Sequence, residues 1–141
     1  MVIHVKRLNE KARLPKYAYE DDAGMDLFSV EELILKPGDI KLCRTGIALS
    51  IPVGYVGLIW DKSGIALKGG IKTMGGVIDS GYRGEVGVIL NNLSKKEYII
   101  KEGDKVAQIL FQRVEHFEIK EVKTLTNTKR DTGGFGSTKI R

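Results

Sequence analysis

Short apolar runs alternate with turn-forming residues along most of the chain. The runs are rich in valine, isoleucine and leucine, and they occupy residues 33–35, 46–51, 54–60, 86–90, 98–100 and 106–111. Glycine, proline, asparagine and aspartate separate them, as in Lys36-Pro37-Gly38-Asp39 and Asn91-Asn92. Strands of this length and spacing predict an all-β fold, either a sandwich, a barrel or a jelly roll.

Two segments depart from the strand pattern. Residues 62–68 predict one short helix of a turn or two. From about Thr124 the apolar pattern fades, so we expect residues 1–123 to form the β core and residues 124–141 to form a mobile C-terminal arm. Similar segments at 35–39 and 100–104 each join a strand end to a turn, which is compatible with pseudo-symmetric sheets, although five similar residues do not establish a repeat.

Length and composition indicate an ordinary globular protein. The 141 residues suffice for one domain with a substantial core, and 42% hydrophobic and 29% charged residues are typical of soluble proteins. No apolar run approaches the roughly 20 residues that a membrane-spanning helix needs. A strand pattern begins at Met1 in place of a signal peptide. We therefore expect a cytoplasmic protein without a membrane partner.

The inventory of cysteine and histidine limits the metal chemistry. Cys43 is the single cysteine, and His4 and His116 are the only histidines. This set does not supply a zinc site of the usual Cys/His kind, and it permits no intrachain disulfide. A metal in this protein is expected to be a hard cation, Mg²⁺, held by carboxylate, water and a phosphorylated substrate.

Positive charge is concentrated near the C-terminus. The net charge is +5, and residues 119–141 carry six lysine or arginine residues against two acidic ones. Such a tail is either a solvated terminus or a segment that meets a polyanion. Phe135 is its one aromatic residue, whereas proteins that bind single-stranded nucleic acid usually offer several stacking aromatics. Nucleic acid is therefore not the expected partner.

A glycine-framed turn and the tail carry the groups best suited to nucleotide chemistry. Residues 75–84 place Asp79 and Tyr82 among four glycines, and residues 130–138 combine Arg130 and Phe135 with hydroxyl side chains. Glycine-rich backbone approaches ligands closely and offers N–H groups to anions. An acid that follows an apolar strand is a candidate general base. Tyr82 either stacks against a sugar or covers the turn.

Three further positions carry weak signals when each is taken alone. Asp26, between apolar neighbours, is by itself more typical of a turn or cap. Lys62-Ser63-Gly64 precedes the predicted helix and is either an ordinary N-cap or a nest for an anion. Gln108 lies in an apolar run, where its amide either satisfies neighbouring backbone or faces a site.

Taken in order, these segments resemble the sequence motifs of the trimeric dUTP diphosphatases (dUTPases) over nearly the whole chain. The similar segments are, from first to fifth motif, residues 23–27, 62–64, 76–84, 103–108 and 130–138. The third and fifth motifs are the specific ones. The resemblance implies a β jelly roll and a homotrimer whose three sites lie at subunit interfaces, each closed by a C-terminal arm.

The resemblance also implies a reaction. With Mg²⁺, water attacks the α-phosphorus of dUTP and releases dUMP and pyrophosphate, which keeps uracil out of DNA and supplies dUMP for dTMP synthesis. Asp79 is expected to deprotonate the water, and Asp26 to hold the Mg²⁺ ion through water. The implied substrate-binding residues are Lys62, Ser63, Gly64, Val77, Ile78, Asp79, Tyr82, Gly87, Gln108, Arg130, Phe135, Gly136 and Ser137.

Within that set, the family's roles fall into three groups. The 62–64 segment, Gln108, Arg130 and the donors of Gly136 and Ser137 are expected to contact phosphates. The hairpin that contains Val77, Ile78 and Gly87 is expected to read uracil with its backbone, and Phe135 to lie over the base. Tyr82 is expected to pack on the deoxyribose and leave no room for a 2′-hydroxyl.

Three positions differ from the common family pattern. Lys62 stands where arginine is usual, so the charge is kept but the bidentate fork is lost. Asp61 stands where proline is common, and we expect it to pair with Lys62. Thr73 stands where an asparagine often contacts the base, and no role is assigned to it.

Other functions were weighed against this one. The closest is dCTP deaminase, which shares the fold but needs a glutamate where this chain has Ile89. A regulatory module that binds nucleotide without turnover is opposed by the intact Asp79, Tyr82 and Phe135. A nucleic-acid-binding β-barrel rests on charge alone, and it predicts strongly salt-sensitive DNA binding.

Overall fold

The structure, a computed structural model, describes residues 1–134, so the predicted contacts of Phe135, Gly136 and Ser137 lie outside the described residues. Within this range the chain forms short strands and a single helix, α1 (Ser63–Gly69). The strands are β1 (His4–Arg7), β2 (Met25–Phe28), β3 (Leu33–Leu35), β4 (Ile40–Ser50), β5 (Tyr55–Trp60), β6 (Ile71–Met74), β7 (Val77–Ile78), β8 (Glu85–Asn92), β9 (Tyr98–Ile100) and β10 (Lys105–Arg113). The predicted all-β class and short helix are confirmed.

The strands form two four-stranded sheets and one two-stranded ribbon. The sheet orders are β1-β4-β8-β6 and β2-β10-β5-β7, and β3 pairs with β9. The pairings within the described part of the chain are antiparallel. Neighbours in each sheet are distant in sequence, which gives the crossing connections of a jelly roll.

One apolar core joins the sheets and the ribbon. Alternation places one face of each strand inside, as in β8, where Val86, Val88 and Leu90 are buried and Ile89 is partly exposed. Leu27 of β2 and Ile109 of β10 belong to the same buried cluster, which includes side chains from both four-stranded sheets. The sheets are therefore packed face to face, and their edges and loops remain for other uses.

The two similar sequence phrases form matching turns. In the turn at 36–39 the Asp39 carboxylate accepts the Lys36 N–H at 2.9 Å, and in the turn at 101–104 the Asp104 carboxylate accepts the Lys101 N–H at 2.8 Å. Each turn follows one strand of the β3–β9 ribbon. The similarity therefore marks equivalent corners of the fold.

The C-terminal part has no regular structure where it is described. β10 ends at Arg113, before the core boundary predicted at residue 123, and residues 114–134 contain neither helix nor strand. Most of this segment is exposed. No helix among residues 1–134 has the length and apolar character to cross a membrane.

Candidate active site

A first cleft opens beside the glycine-framed turn. Its volume is about 370 Å³, and it lies between β7, the following turn and the adjoining faces of β4 and β8. Its lining residues are Leu42, Arg44, Met74, Gly76, Val77, Ile78, Asp79, Tyr82, Glu85, Gly87 and Ile89. The predicted residues of the third motif and of the hairpin are thus brought together in one place.

Asp79 stands at the rim of the first cleft. It follows β7 directly and is exposed, and its carbonyl accepts the Tyr82 N–H at 3.1 Å, which closes the turn. β7 pairs only with β5 in its sheet and forms the sheet edge within residues 1–134. Because the Gly76 carbonyl faces β5, the alternating backbone of β7 directs the Val77 N–H and C=O groups outward, next to the turn that carries Asp79.

Tyr82 is fixed against its own turn. Its hydroxyl donates to the Glu85 carbonyl at 3.0 Å. The ring lies over Gly84, where an added Cβ would come within 2.6 Å of the Tyr82 Cζ. The side chain nevertheless remains 47% exposed. One face of the ring is thus available to a ligand in the first cleft.

Gly76 allows the turn to pass close to β5. Its φ is 101°, and a Cβ there would lie 2.8 Å from the Ile59 carbonyl oxygen. The Gly76 carbonyl also accepts the Ile59 N–H at 2.8 Å. Both the backbone conformation and the close approach therefore require glycine.

The substitution Gly76→Ala is expected to lower the free energy of unfolding by about 1–3 kcal/mol and to distort the first cleft. Gly54→Ala is the matched control, because Gly54 has a φ of 84° but nothing within 4 Å of an added Cβ. Urea unfolding of both variants separates backbone strain from the clash with Ile59. Equal losses in the two variants would contradict a role for the close approach.

A second cleft, of about 400 Å³, lies beside the start of α1. It gathers predicted residues from three separate motifs, namely Asp26 on β2, Lys62 before α1 and Gln108 on β10. Gln108 pairs with Asp26 on one side and with Trp60 on the other, so the strand register sets these groups side by side. The remaining lining residues are Asp22, Ala23, Gly24, Trp60, Asp61 and Leu110.

Asp26 is the buried charge of the second cleft, with 2% of its surface exposed. The Lys62 ammonium donates to Oδ1 at 2.5 Å, and the Lys105 ammonium lies 2.7 Å from Oδ2. Burial alone raises the pKa of this carboxyl, but the contacts with Lys105 and Lys62 outweigh burial and hold the pKa below its usual value. Asp26 is therefore ionised at neutral pH.

The contacts of its amide group fix the orientation of the Gln108 side chain. Its Nε2 donates to the Asp61 carbonyl at 2.9 Å. The other end of the amide lies over Gly24, where an added Cβ would meet the Gln108 Oε1 at 2.6 Å. The structure thus combines both interpretations of Gln108, since the side chain satisfies backbone and also lines the cleft.

The remaining residues of the second motif form an exposed corner. Lys62 is the N-cap of α1, and its side chain makes no capping hydrogen bond. Ser63 and Gly64 are exposed, and no atom lies within 4 Å of a Cβ added at Gly64. Their backbone N–H groups belong to the first turn of the helix, where donors lack helical partners.

The expected pairing of Asp61 with Lys62 is wrong. The Asp61 carboxylate instead contacts Lys72 and Thr73 on β6. The Lys62 ammonium instead pairs with the carboxylate of Asp26, which is more deeply buried than Asp61. Two of the positions that differ from the family pattern, Asp61 and Thr73, are therefore in direct contact with each other.

Arg130 lies apart from both clefts in the described structure. Its Nε donates to the Gly133 carbonyl at 2.8 Å, within the same segment. The two clefts have no lining residue in common. In one copy of the chain the described site residues thus lie in three separate places, which are the first cleft, the second cleft with the adjoining start of α1, and the segment that contains Arg130.

Sequence reasoning gave no role to several residues that the structure places at these clefts. Lys105 reaches Asp26 from β10, and the Arg44 guanidinium pairs with Glu85 at 3.0 Å in the wall of the first cleft. These contacts depend on cross-strand register. The one local signal was the position of Lys105 within the segment that resembles the fourth motif.

The second cleft offers the Asp26 carboxylate as a possible ligand for a metal ion. Within residues 1–134 no group of three or more His, Cys, Asp or Glu side chains is arranged to hold one. Asp26 Oδ2, however, is a buried oxygen whose partner in the described chain is the Lys105 ammonium at 2.7 Å, a contact that lacks hydrogen-bond alignment. A single ionised carboxylate fits a hard cation whose other ligands are phosphate and water.

Comparisons with known proteins are consistent across nearly the whole chain. A family model described as dUTPase matches residues 10–139. The deoxyuridine 5'-triphosphate nucleotidohydrolase of Clostridium kluyveri is 48% identical over 140 residues, covering 98% of each chain. The protein of the same name from Hydrogenobaculum is 45% identical over 144 residues, covering 100% of each chain.

A solved structure shows the same architecture. The dUTPase of Staphylococcus bacteriophage 80alpha with dUPNHPP superposes with a TM-score of 0.93, at 29% identity and with 99% of each chain covered. A mutant dUTPase from phage phi11 of S. aureus, described for its coordination of a structural Mg(II) ion, has a TM-score of 0.84 at 31% identity. That match covers 90% of this chain and 100% of the phage chain.

Proposed function

The chain belongs to the dUTPase family, and on this basis we propose that it hydrolyses dUTP to dUMP and pyrophosphate. The observation that carries the proposal is the first cleft, where the exposed Asp79 carboxylate adjoins the free edge of β7 and the available face of Tyr82. The carboxylate suits a water molecule, the strand edge suits a base, and the ring suits a sugar. Hydrolysis removes dUTP, which keeps uracil out of DNA, and it supplies dUMP for dTMP synthesis.

Recognition of uracil is assigned to the backbone of β7. The Val77 N–H and C=O groups face outward at the sheet edge, and the strand formed by Val77 and Ile78 is fixed by its pairing with β5 on the other side. Uracil offers two carbonyls and N3–H to such an edge. Cytosine presents a donor where an acceptor is required, which leaves a buried polar group unpaired. Gly87 lies in the opposite wall, where the Leu42 side chain packs against its backbone.

Discrimination at the sugar is assigned to Tyr82. Its ring is held between Gly84 and the Glu85 carbonyl and does not turn aside easily. A deoxyribose packs against the free face of the ring, whereas a 2′-hydroxyl adds a polar atom where there is no space for it. A rigid aromatic wall therefore favours dUTP over UTP.

The triphosphate is assigned to the second cleft and the C-terminal arm. Lys62, with the exposed N–H groups of Ser63 and Gly64, contributes positive charge and donors. Gln108 lies across the same cleft. From the arm, Arg130 binds the terminal phosphate as a planar fork, Gly136 and Ser137 add donors, and Phe135 covers the uracil. These arm roles rest on the family motif.

Mg²⁺ is assigned to the triphosphate at the second cleft, with Asp26 holding it through water. When bound, the ion neutralises the phosphate charge and improves pyrophosphate as a leaving group. Lys62 and Lys105 already compensate the Asp26 carboxylate. A water-mediated contact suits this carboxylate better than direct ligation, because direct ligation would displace a lysine.

Asp79 is assigned as the general base. Its carboxylate accepts a proton from a water molecule as the water oxygen bonds to the α-phosphorus and the bond to the bridging oxygen of pyrophosphate breaks. The carboxylate is exposed at the rim, and the turn fixes the backbone that carries it, so it reaches a water on one side of the substrate. Deamination of dCTP is not favoured, because Ile89 supplies an apolar side chain to the cleft where that chemistry needs a carboxylate.

A complete site is assigned to the interfaces of a homotrimer. The two clefts of one chain have no lining residue in common, although a single dUTP needs the groups of both. Arg130 lies away from both clefts as well. Assembly from neighbouring copies brings the base-reading turn of one chain to the phosphate-binding groups of another.

The shared site predicts complementation between two inactive variants. One carries Asp79→Asn and keeps its arm, and the other keeps Asp79 but lacks residues 129–141. Refolded together, they are expected to regain about a quarter of the wild-type pyrophosphate release, because random mixing joins an intact Asp79 and an intact arm in that fraction of sites. Each variant refolded alone is the control. Mixtures no more active than the separate variants would contradict a site built from different chains.

A further inference from the structure

Asp61 connects the start of α1 to two strands of the fold. One carboxylate oxygen accepts the Thr73 N–H at 2.5 Å and the Thr73 hydroxyl at 2.7 Å. The other oxygen accepts the Lys72 ammonium at 2.7 Å. The Asp61 carbonyl accepts the Gln108 amide at 2.9 Å. The residue is thus tied to β6 by its side chain and to β10 by its backbone.

The segment that follows Asp61 has few other restraints. Lys62 caps α1 without a side-chain hydrogen bond, and its ammonium is directed to Asp26. Ser63 is exposed, and Gly64 has open space around it. A helix whose first turn lacks a side-chain cap depends on the residue before it for its position. Asp61 occupies that place.

The charge of Asp61 is compensated within the same contacts. Burial raises the pKa of the Asp61 carboxyl, but the Lys72 ammonium and the two Thr73 donors lower it to a greater extent. The pKa therefore lies below its usual value. The side chains are 24% exposed for Asp61 and 52% for Lys72. An acid beside the phosphate-binding segment therefore adds little repulsion toward an anionic substrate.

We propose that Asp61, with Thr73 as its partner, is a positioning residue that fixes the 62–64 segment for binding the triphosphate. The inference rests on the function proposed above. The Thr73 hydroxyl donates to Asp61 and its side chain is buried, so Thr73 acts through this contact and not on the base. Asp61 and Thr73 form one unit that takes the place of the proline and asparagine more common at these positions.

The kinetic test uses Asp61→Ala, Thr73→Val and the double variant. For Asp61→Ala we expect the Kd of the imido analogue dUpNHpp and the KM for dUTP to rise about tenfold or more, because a displaced segment misaligns the phosphate donors. The Kd of dUMP, which carries a single phosphate, is expected to change less than about twofold. Thr73→Val is expected to weaken dUpNHpp binding in the same direction, and the double variant to be no worse than Asp61→Ala.

Asp39→Ala is the matched control. The Asp39 carboxylate also accepts a backbone N–H, at 2.9 Å, and lies 3.2 Å from a lysine, but it belongs to a turn outside both clefts. We expect it to leave the affinities for both nucleotides unchanged. If Asp61→Ala weakens dUMP and dUpNHpp equally, or affects dUpNHpp no more than Asp39→Ala does, the positioning role is overturned.

Amide hydrogen exchange tests the same role without substrate. The Ala66 N–H donates to the Lys62 carbonyl at 3.0 Å and reports on the first turn of α1. In Asp61→Ala the exchange of the Ala66 amide is expected to accelerate by about tenfold relative to wild type and Asp39→Ala. Unchanged exchange would overturn the proposal. Failure of the wild-type protein to hydrolyse dUTP would refute the proposed function and leave the exchange result to decide the position of the segment.

Discussion

Replacing Asp79 with asparagine is expected to abolish most dUTP hydrolysis while leaving dUTP binding nearly intact. Asparagine has the same size and keeps one carbonyl oxygen, but it does not accept the proton of the attacking water. Loss of a general base lowers kcat by about 100- to 10,000-fold. Asp79 is exposed, so the substitution leaves no buried group unpaired and should not affect the fold.

The measurement is steady-state pyrophosphate release together with the Kd of dUpNHpp for the same variant. Glu102→Gln is the control, because Glu102 is an exposed carboxylate paired with Lys11 at 2.8 Å and lies outside both clefts. It should retain wild-type turnover. A kcat close to wild type in Asp79→Asn would remove Asp79 as the base.

Deletion of residues 129–141 is the second change with a large expected effect. It removes Arg130 and Phe135, which the family motif assigns to the terminal phosphate and the base. Arg130 is expected to compensate charge on the pyrophosphate leaving group, and Phe135 to exclude water from the base. Because the deletion removes both contacts, we expect kcat/KM to fall by at least about 100-fold.

The same deletion should leave the assembly intact. The last strand ends at Arg113, and the buried core cluster draws on strands and loops before that point within the described chain. Sedimentation velocity should therefore give the same oligomer for the deletion as for wild type. Removing only residues 139–141, which follow the fifth motif, is the control and should have little effect. An unchanged rate after deletion of 129–141 would contradict closure of the site by the arm.

The strand pattern was predictable because burial of alternate side chains leaves a local signature. β5, β8 and β10 coincide with apolar runs, and α1 lies within one residue of the predicted helix. β4 is longer than its apolar run, since its first half alternates exposed and buried positions. β2 and β6 were missed, because strands of four residues interrupted by polar side chains carry too little pattern.

The contacts of the second cleft were less accessible to sequence reasoning. Motif resemblance identified Asp26, Lys62 and Gln108, but the ion pair between Lys62 and Asp26 and the contribution of Lys105 follow from the register of β2 against β10. The partner of Asp61 was predicted from sequence proximity and proved to be Lys72 on another strand. Lys62 could pair with either Asp26 or Asp61, and it pairs with Asp26. The reason is burial, because an unpaired charge at Asp26 costs more free energy than one at the more exposed Asp61.

The family resemblance implied sites shared between subunits, and the strand order explains why one chain has two separate clefts. β7 forms an edge of its sheet, whereas β10 lies inside that sheet between β2 and β5. Groups on β7 and its turn therefore face a different cleft from groups on β2 and β10. A single chain offers the parts of the site, and the proposed homotrimer would bring them together.

The most direct test of the account is pyrophosphate release with Mg²⁺ from dUTP, dTTP, dCTP and UTP, measured side by side. We expect strong selectivity for dUTP, because in the proposed site the β7 edge rejects cytosine, the thymine methyl is excluded sterically and Tyr82 rejects the ribose. Comparable rates with the four nucleotides would contradict recognition by the hairpin. Ammonia release from dCTP, or binding of dUTP without hydrolysis, would contradict the proposed reaction.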